Sequence, residues 1–409
     1  MQYGLLGRKL SHSLSPQIHA LLGTYPYALF EREEPALPAF FGDKQLAGFN
    51  VTIPYKTHAY AACDARSETA TRIGAVNTVI RRPDGTLFGD NTDYFGFCCM
   101  ADRCGVTFQG KKVLILGSGG ASRMVQVVCK DRGAREIIVV SRSGKNDYGH
   151  LHLHRDADIL VNATPVGMYP NNLEAPVDLQ QFPNLCAVLD LIYNPLRTAL
   201  LLQAEALKIP CCNGLRMLVA QALRSAELFT GHPIALTKID EICQTIEATQ
   251  RNVILIGMPG CGKSTVAKAL AEQLHRRVLD TDAMIEDADG RTIPQIFGAQ
   301  GEAFFRALET TACEEAGKQQ SVIIATGGGA VLSERNRAAL KQNGVVIYLK
   351  KELTALATDG RPLSKDIEAL QSIYQTRKGI YETYADGIIP VDPDVSVTTE
   401  RVISCICSL

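Results

Sequence analysis

The sequence has no tryptophan, no C-x-x-C pair, no apolar run near the ~18 residues of a membrane span, and no excess of either charge. The missing tryptophan removes a fluorophore and bears on no function. Lys+Arg is 42 against 43 Asp+Glu, a net charge of −1, so no basic footprint for nucleic acid or an anionic membrane exists. The 13 cysteines are odd in number and irregularly spaced, with adjacent pairs at Cys98-Cys99 and Cys211-Cys212. Neither a disulfide framework nor a zinc site has that spacing, and reduced thiols packed as small hydrophobes are expected. Cys405 and Cys407 form no prenylation signal. The chain opens on a short apolar strand, Tyr3-Gly4-Leu5-Leu6, with no basic leader before a long apolar stretch. A soluble cytoplasmic protein is the expectation. There is also no Gly/Ser- or Pro-rich linker, no repeat and no low-complexity tract.

What is present is ordinary globular composition, 46% apolar and 21% charged, which rules out disorder as the main state. With 409 residues and ~150 per domain, two to three domains are expected. Strand-length apolar runs fall at Val113–Leu116, Glu136–Val140, Asp158–Asn162, Ala187–Leu191, Asn252–Ile256, Ser321–Ala325 and Val345–Leu349. Helical stretches such as Ser122–Arg132 and Thr265–Gln273 lie between them. That alternation predicts α/β architecture with parallel sheets covered on both faces. Two Gly-rich loops, Gly117–Gly120 and Gly257–Ser264, each follow an apolar run and precede a helix. Each should open its own nucleotide-binding sheet, and the hundred-odd residues upstream suffice for a third unit. The join is placed near Thr249–Arg251, after the polar helix Leu236–Ala248, and should be short.

Gly257–Ser264 matches G-x-x-x-x-G-K-[ST] in full, with Val253-Ile254-Leu255-Ile256 before it. The glycines let backbone N–H groups wrap phosphate oxygens. Gly260, Cys261, Gly262, Lys263, Ser264 and Thr265 are therefore candidate nucleotide contacts. Lys263 supplies a point charge on the β- and γ-phosphates, and Ser264 is a candidate Mg²⁺ ligand. Asp280-Thr281-Asp282 follows at an expected strand end. There one carboxylate, Asp280, can hold Mg²⁺ through water and the other, Asp282, can accept a hydroxyl proton. Further along stand Gly301-Glu302-Ala303-Phe304-Phe305-Arg306, Ala325-Thr326-Gly327-Gly328-Gly329, Arg361-Pro362-Leu363 and Arg377-x-x-x-Tyr381.

In that order these pieces resemble the shikimate kinase family, over residues ~250–409. The resemblance implies that Asp282 binds the shikimate diol and acts as base at the 3-hydroxyl. It implies that Arg306 and Arg377 hold the carboxylate beside the amides of Gly327, Gly328 and Gly329. Arg361 would be the lid arginine over the transferring phosphoryl group, with ATP and Mg²⁺ as cofactors. A small carboxylate polyol does call for arginine forks and a carboxylate. The lid segment Ala357–Arg361 is shorter than is usual in the family and lacks a basic residue.

Gly117-Ser118-Gly119-Gly120-Ala121-Ser122 is G-x-G-x-x with serine in the third small position. The next strand ends in Ser141-Arg142-Ser143, where a dinucleotide site usually places an acid for the ribose diol. Arginine there suits a 2′-phosphate, so NADP is favoured over NAD. Ser141, Arg142 and Lys145 are candidate contacts beside Gly117, Ser118, Gly119, Gly120 and Ala121. Between Arg142 and Asp158 the chain is too short for a full crossover helix. His150, His152 and His154 alternate within it, without an evident acid or thiolate partner, and an exposed strand or loop face is expected.

Upstream lie His12-Ser13-Leu14-Ser15-Pro16-Gln17-Ile18-His19, Asn50-Val51-Thr52-Ile53-Pro54-Tyr55-Lys56, Gly74-Ala75-Val76-Asn77-Thr78 and Gly89-Asp90-Asn91-Thr92-Asp93. With Asn162–Met168 and Gly214–Ala222, this set resembles shikimate dehydrogenase over residues ~1–245. The resemblance implies that Ser13, Ser15, Thr52, Asn77, Asp93 and Gln221 bind 3-dehydroshikimate or shikimate, with Tyr193 nearby. Lys56 and Asp93 would be the catalytic pair at the C3 oxygen, where hydride reduction of a ketone needs a proton donor.

Together the two resemblances imply an N-terminal α/β substrate domain, a Rossmann-like NADP domain and a P-loop parallel-sheet kinase domain. The implied bounds are 1–93 with 213–249, 94–212, and 250–409. The expected function is bifunctional: NADPH-dependent reduction of 3-dehydroshikimate, then phosphorylation of shikimate, with these small molecules as substrates and neither nucleic acid nor membrane as partner. Two alternatives stand beside it: a silent dehydrogenase-like scaffold on an active kinase, and a quinate-type dehydrogenase using NAD.

Overall fold

A computed structural model describes residues 2–11, 13–23, 25–356 and 367–409. The chain forms two compact units. The first comprises Met1–Met168, Glu174–Asn194 and Leu200–Ile246, and the second Tyr169–Leu173, Pro195–Ala199 and Glu247–Leu409.

The first unit holds two sheets. One contains β1 (Gln2–Gly7), β2 (Tyr27–Glu31), β3 (Leu46–Val51), β4 (Ala65–Arg66), β5 (Thr78–Arg81) and β6 (Leu87–Asp90), in the order β2-β1-β3-β5-β6-β4. It is mixed rather than all-parallel: β3 with β5 and β5 with β6 run antiparallel. The cause is local. Pro83-Asp84-Gly85 closes a tight hairpin in which Gly85 has φ +87° and Arg82 N donates to Thr86 O at 2.9 Å.

The other sheet contains β7 (Lys112–Leu116), β8 (Glu136–Val140), β9 (Ile159–Asn162), β10 (Ala187–Asp190) and β11 (Cys211–Cys212), in the order β11-β10-β9-β7-β8. All its pairings are parallel. Alternation along β7 sends Val113 and Ile115 into one apolar cluster and Leu114 and Leu116 into another, so both faces are covered. The short crossover from β8 to β9 contains a 3-10 helix, Tyr148–His154, and no α-helix, in line with the length argument. His150, His152 and His154 lie in this 3-10 helix rather than on a strand face, and the His150 and His152 rings lie near parallel, with centroids 6.5 Å apart. His150 Nδ1 meets Asp147 Oδ1 at 2.7 Å and His152 Nδ1 meets Gly149 O at 3.1 Å. No cluster able to hold a metal ion occurs among the described residues.

The second unit contains β12 (Asn252–Ile256), β13 (Arg277–Asp280), β14 (Val322–Ala325), β15 (Gly344–Lys350) and β16 (Gly387–Pro390), in the parallel order β13-β14-β12-β15-β16. The central strand β12 is wholly buried, as its unbroken apolar run requires. The preceding helix Thr237–Gln250 ends two residues before it. Among the described residues no helix is long and apolar enough to cross a membrane.

Candidate active sites

In the first unit, β3 leads through Thr52–Tyr55 into the helix Lys56–Ala62, placing Lys56 at its start. After β6, the helix Asp93–Arg103 begins on Asp93. Two helix starts thus converge, and Lys56 Nζ donates to Asp93 Oδ2 at 2.6 Å. The two side chains are 23% and 11% exposed. This is a partly desolvated, charge-assisted bond, stronger than a surface pair.

Beneath it lies a polar layer. Thr92 N donates to Asn77 Oδ1 at 2.7 Å, and Asn77 Nδ2 lies 3.5 Å from Gln221 Oε1. Gln221 Nε2 is committed to Leu218 O at 2.8 Å, so its carbonyl oxygen is the end left for other partners. The Asn77 amide donor and the Gln221 acceptor thus face each other in this layer. Thr92, whose hydroxyl lies 3.2 Å from Asn77 Oδ1 and 3.4 Å from Gln221 Oε1, was not among the residues singled out. Its one signal was adjacency to Asp93. Ser15 N donates to Ser13 Oγ at 3.2 Å, which pairs the two serines at the start of the helix Ser15–Leu22. Thr52 is fixed through its backbone N–H to Leu6 O at 2.9 Å. Tyr193 follows the C-terminal end of β10, on the other sheet, and burial pushes its phenol above the usual range.

The first Gly-rich loop leaves β7 at Gly117, where φ is +101°. A Cβ there would lie 2.9 Å from Ala163 O and 3.0 Å from Thr164 Cγ2, so only glycine fits. Ser118 and Gly119 continue the loop, and Gly119 is the N-cap of the helix Gly120–Asp131, in which Ala121 is second. The first-turn N–H groups of such a helix favour an anion. Arg123, on the first turn, brings its guanidinium within 4.0 Å of a Cβ built on Gly120, a cation overlooked in the sequence. Beyond β8, Ser141 N donates to Asn146 O at 3.1 Å, and Arg142 and Lys145 are exposed.

In the second unit, β12 runs into Gly257 (φ +149°), and the loop ends at Gly262 (φ +104°), the N-cap of the helix Lys263–Leu274. Lys263 is buried and donates to Gly257 O at 3.0 Å and Met258 O at 3.1 Å, folding the ammonium back over the loop. Cys261 packs inward, while Ser264 and Thr265 are exposed. Ser264 Oγ donates to Asp280 Oδ2 at 2.7 Å. Asp280 ends β13 and caps the helix Thr281–Asp289 by accepting from Asp282 N at 3.0 Å, so the two carboxylates stand on different elements rather than on one strand end.

Asp282 faces the third glycine loop: a Cβ on Gly327 would lie 2.6 Å from Asp282 Oδ1 and 3.0 Å from Glu309 Oε1. One on Gly329 would lie 2.9 Å from Arg306 Cζ. One on Gly328 would lie 2.8 Å from Pro259 Cγ. Arg306 Nη1 pairs with Glu309 Oε2 at 2.9 Å, and Arg377 is buried. Burial pushes the Glu309 carboxyl above its ordinary range, against the pull of Arg306 and Arg377. Asp282, Arg306, Arg377 and the glycine loop are thus one constellation. Glu309 belongs to it and was missed, because an acid on a helix reads as solvated; its signal was the i,i+3 spacing from Arg306. Arg361 lies outside the described residues.

Comparison with known proteins bears on both units. Residues 5–79 match the model of the shikimate dehydrogenase substrate binding domain, and residues 259–407 that of shikimate kinase. A shikimate dehydrogenase (NADP(+)) of Clostridium beijerinckii is 36% identical over 246 residues, 56% of this chain and 91% of the relative. The chain belongs to the shikimate dehydrogenase family and carries a shikimate kinase domain. It is a bifunctional enzyme of the shikimate pathway. Among solved structures it is similar to a chorismate mutase/shikimate 5-dehydrogenase fusion protein from Clostridium acetobutylicum, with TM-score 0.57 and 38% identity over 60% of this chain and 96% of that one. It is also similar to the Thermus thermophilus shikimate 5-dehydrogenase in complex with NADP(H) and shikimate, with TM-score 0.55 and 33% identity over 60% of this chain and 99% of that one.

Proposed function

We propose that the first unit reduces 3-dehydroshikimate to shikimate with NADPH, and that the second phosphorylates the 3-hydroxyl of shikimate with MgATP. The observation that carries this reading is that each unit sets an acid–base group beside polar groups suited to a polyol. These are Lys56 on Asp93 at 2.6 Å in one, and Asp282 against the Gly327–Arg306 constellation in the other. The Lys56–Asp93 pair also argues against the silent-scaffold alternative, because a scaffold has no use for it.

In the reduction, Lys56 gives a proton to the C3 oxygen and the Asn77 amide donates to the substrate. Asp93 and Gln221 accept from hydroxyls, and Ser13, Ser15 and Thr52 bind the remaining polar groups. The residues fit a dinucleotide: Gly117 allows close backbone approach, the Gly120–Asp131 helix start favours the pyrophosphate, and Ser141, Arg142 and Lys145 suit a 2′-phosphate. NADPH supplies the hydride when bound, and relatives named as NADP(+) enzymes support that choice.

In the transfer, Asp282 takes the proton of the 3-hydroxyl, and Arg306 and Arg377 hold the carboxylate beside Gly327, Gly328 and Gly329. Lys263, with the loop from Gly260 to Thr265, cradles the phosphates. Ser264 and Asp280 are hard oxygen donors that would hold Mg²⁺, whose charge offsets that of the phosphates. We assign reduction to 1–93 with 213–249 and to 94–212, and phosphorylation to 250–409.

The test combines the purified chain with 3-dehydroshikimate, NADPH, ATP and Mg²⁺. NADPH loss with appearance of shikimate 3-phosphate is expected. Untouched NADPH would refute the first assignment, and unphosphorylated shikimate the second.

A further inference from the structure

Tyr381 closes the Arg377-x-x-x-Tyr381 motif, and neither reaction above uses it. The i,i+4 spacing puts both side chains on one face of the helix Ile367–Tyr384. Tyr381 is fully buried, and its phenol donates to Gly328 O at 2.6 Å. The Arg377 guanidinium, one turn earlier on that face, lies close enough to pull the phenol's pKa down, but burial outweighs it and pushes the phenol well above its ordinary range, so it stays a protonated donor. Its ring lies nearly parallel to Tyr348, with centroids 5.0 Å apart and an interplanar angle of 18°. Tyr348 is held in β15, opposite Ile256 of β12, the strand that feeds the phosphate loop. On its other side Gly328 has no room, since a Cβ there would meet Pro259 Cδ at 2.8 Å. Gly328 is therefore held between the Tyr381 hydroxyl and the phosphate loop. Its neighbours Gly327 and Gly329 lie against Asp282 and Arg306.

We propose that Tyr381 is a positioning residue of the kinase acceptor site, holding Arg377 and the Gly327–Gly329 loop in register for the acceptor's carboxylate. This rests on the shikimate-phosphorylating reading above. A carboxylate clamp works only when its donors are fixed, and one hydroxyl here binds the backbone loop and lies beside the guanidinium. Removing it leaves the ring packing intact but frees both.

The test is Tyr381→Phe in the full chain, with steady-state kinetics of the kinase reaction. The KM for shikimate should rise about tenfold, kcat should stay within about threefold, and the KM for ATP within about twofold. Combined with Arg377→Lys, the two effects on the shikimate KM should be less than additive, because the tyrosine acts through the arginine. An unchanged shikimate KM overturns the proposal. So do full additivity, a parallel collapse of kcat and ATP KM, or failure to fold, which would make Tyr381 scaffold only. A wild-type chain that does not phosphorylate shikimate refutes the underlying reading, whereas an active wild type with an indifferent Tyr381→Phe refutes only this inference.

Discussion

On the proposed mechanism, replacing Lys56 by alanine removes the proton donor of the reduction, and it strips Asp93 of its cation. The Nζ–Oδ2 contact is 2.6 Å and the two side chains are 23% and 11% exposed, so the pair is partly desolvated. General acid catalysis contributes about 10²–10⁴-fold. A loss of ~10³ in dehydrogenase kcat, about 4 kcal/mol of barrier, is expected. The orphaned carboxylate should also cost roughly 1–3 kcal/mol of stability. Lys56→Arg separates the two effects. Arginine keeps the charge beside Asp93 but holds its proton too tightly to donate it. Stability should therefore recover while kcat does not. The assay is NADPH loss by absorbance at saturating 3-dehydroshikimate, with phosphorylation of added shikimate measured in the same sample. Because Asp282 and its partners lie in the other compact unit, kinase activity should be unchanged. Retention of more than a tenth of the dehydrogenase kcat in Lys56→Ala would refute the proton-donor role. A parallel fall in kinase activity would point to general unfolding instead.

Gly117→Ala would force φ +101° on a side chain and press its Cβ to 2.9 Å from Ala163 O. A cost of about 1–3 kcal/mol and loss of saturable NADPH binding are expected by fluorescence titration, and unaltered binding would contradict the close-approach role of this loop. Arg142→Ser should raise the KM for NADPH about tenfold and leave that for NADH unchanged, since the proposed role of this exposed guanidinium is to pair with the 2′-phosphate. An equal effect on both cofactors would sink that assignment. His19 is fully buried, stacked on Tyr27 at 3.9 Å and bonded to Tyr25 at 2.6 Å, and burial pushes its pKa down to about 3. The unfolded chain binds its proton near pH 6.5 and the folded one does not, so stability rises with pH between these values and is lost as pH falls. Urea midpoints of the first unit should drop from pH 7 to pH 5 by up to ~1.4 kcal/mol per unit on this account, and the drop should flatten in His19→Gln. An identical slope in the variant would show that His19 is not its source.

What the sequence made legible was whatever lies in one contiguous stretch whose local conformation is dictated. Gly257–Ser264 is such a stretch, because positive φ at Gly257 and Gly262 and a helix start at Lys263 follow from its own residues. β7 and β12 were legible for the same reason, an apolar run too short for a helix and too continuous for a surface strand. The mixed order of the first sheet was hidden by the alternation of the rest of the chain, although Pro83-Asp84-Gly85 carried the hairpin signal locally. Least legible were residues whose role depends on a partner across the fold. Glu309 is an acid on a helix like many others, until Arg306, Gly327 and Arg377 surround it and exclude water. Thr92 is a helix-start hydroxyl until Asn77 and Gln221 arrive from two other elements. In both sites, then, motifs named the groups proposed to touch phosphate or substrate. The groups that fix their orientation came from packing, which no short pattern encodes. The same division explains Tyr381, a residue inside a recognised motif whose partners, Gly328 and Tyr348, only the folded sheet brings to it.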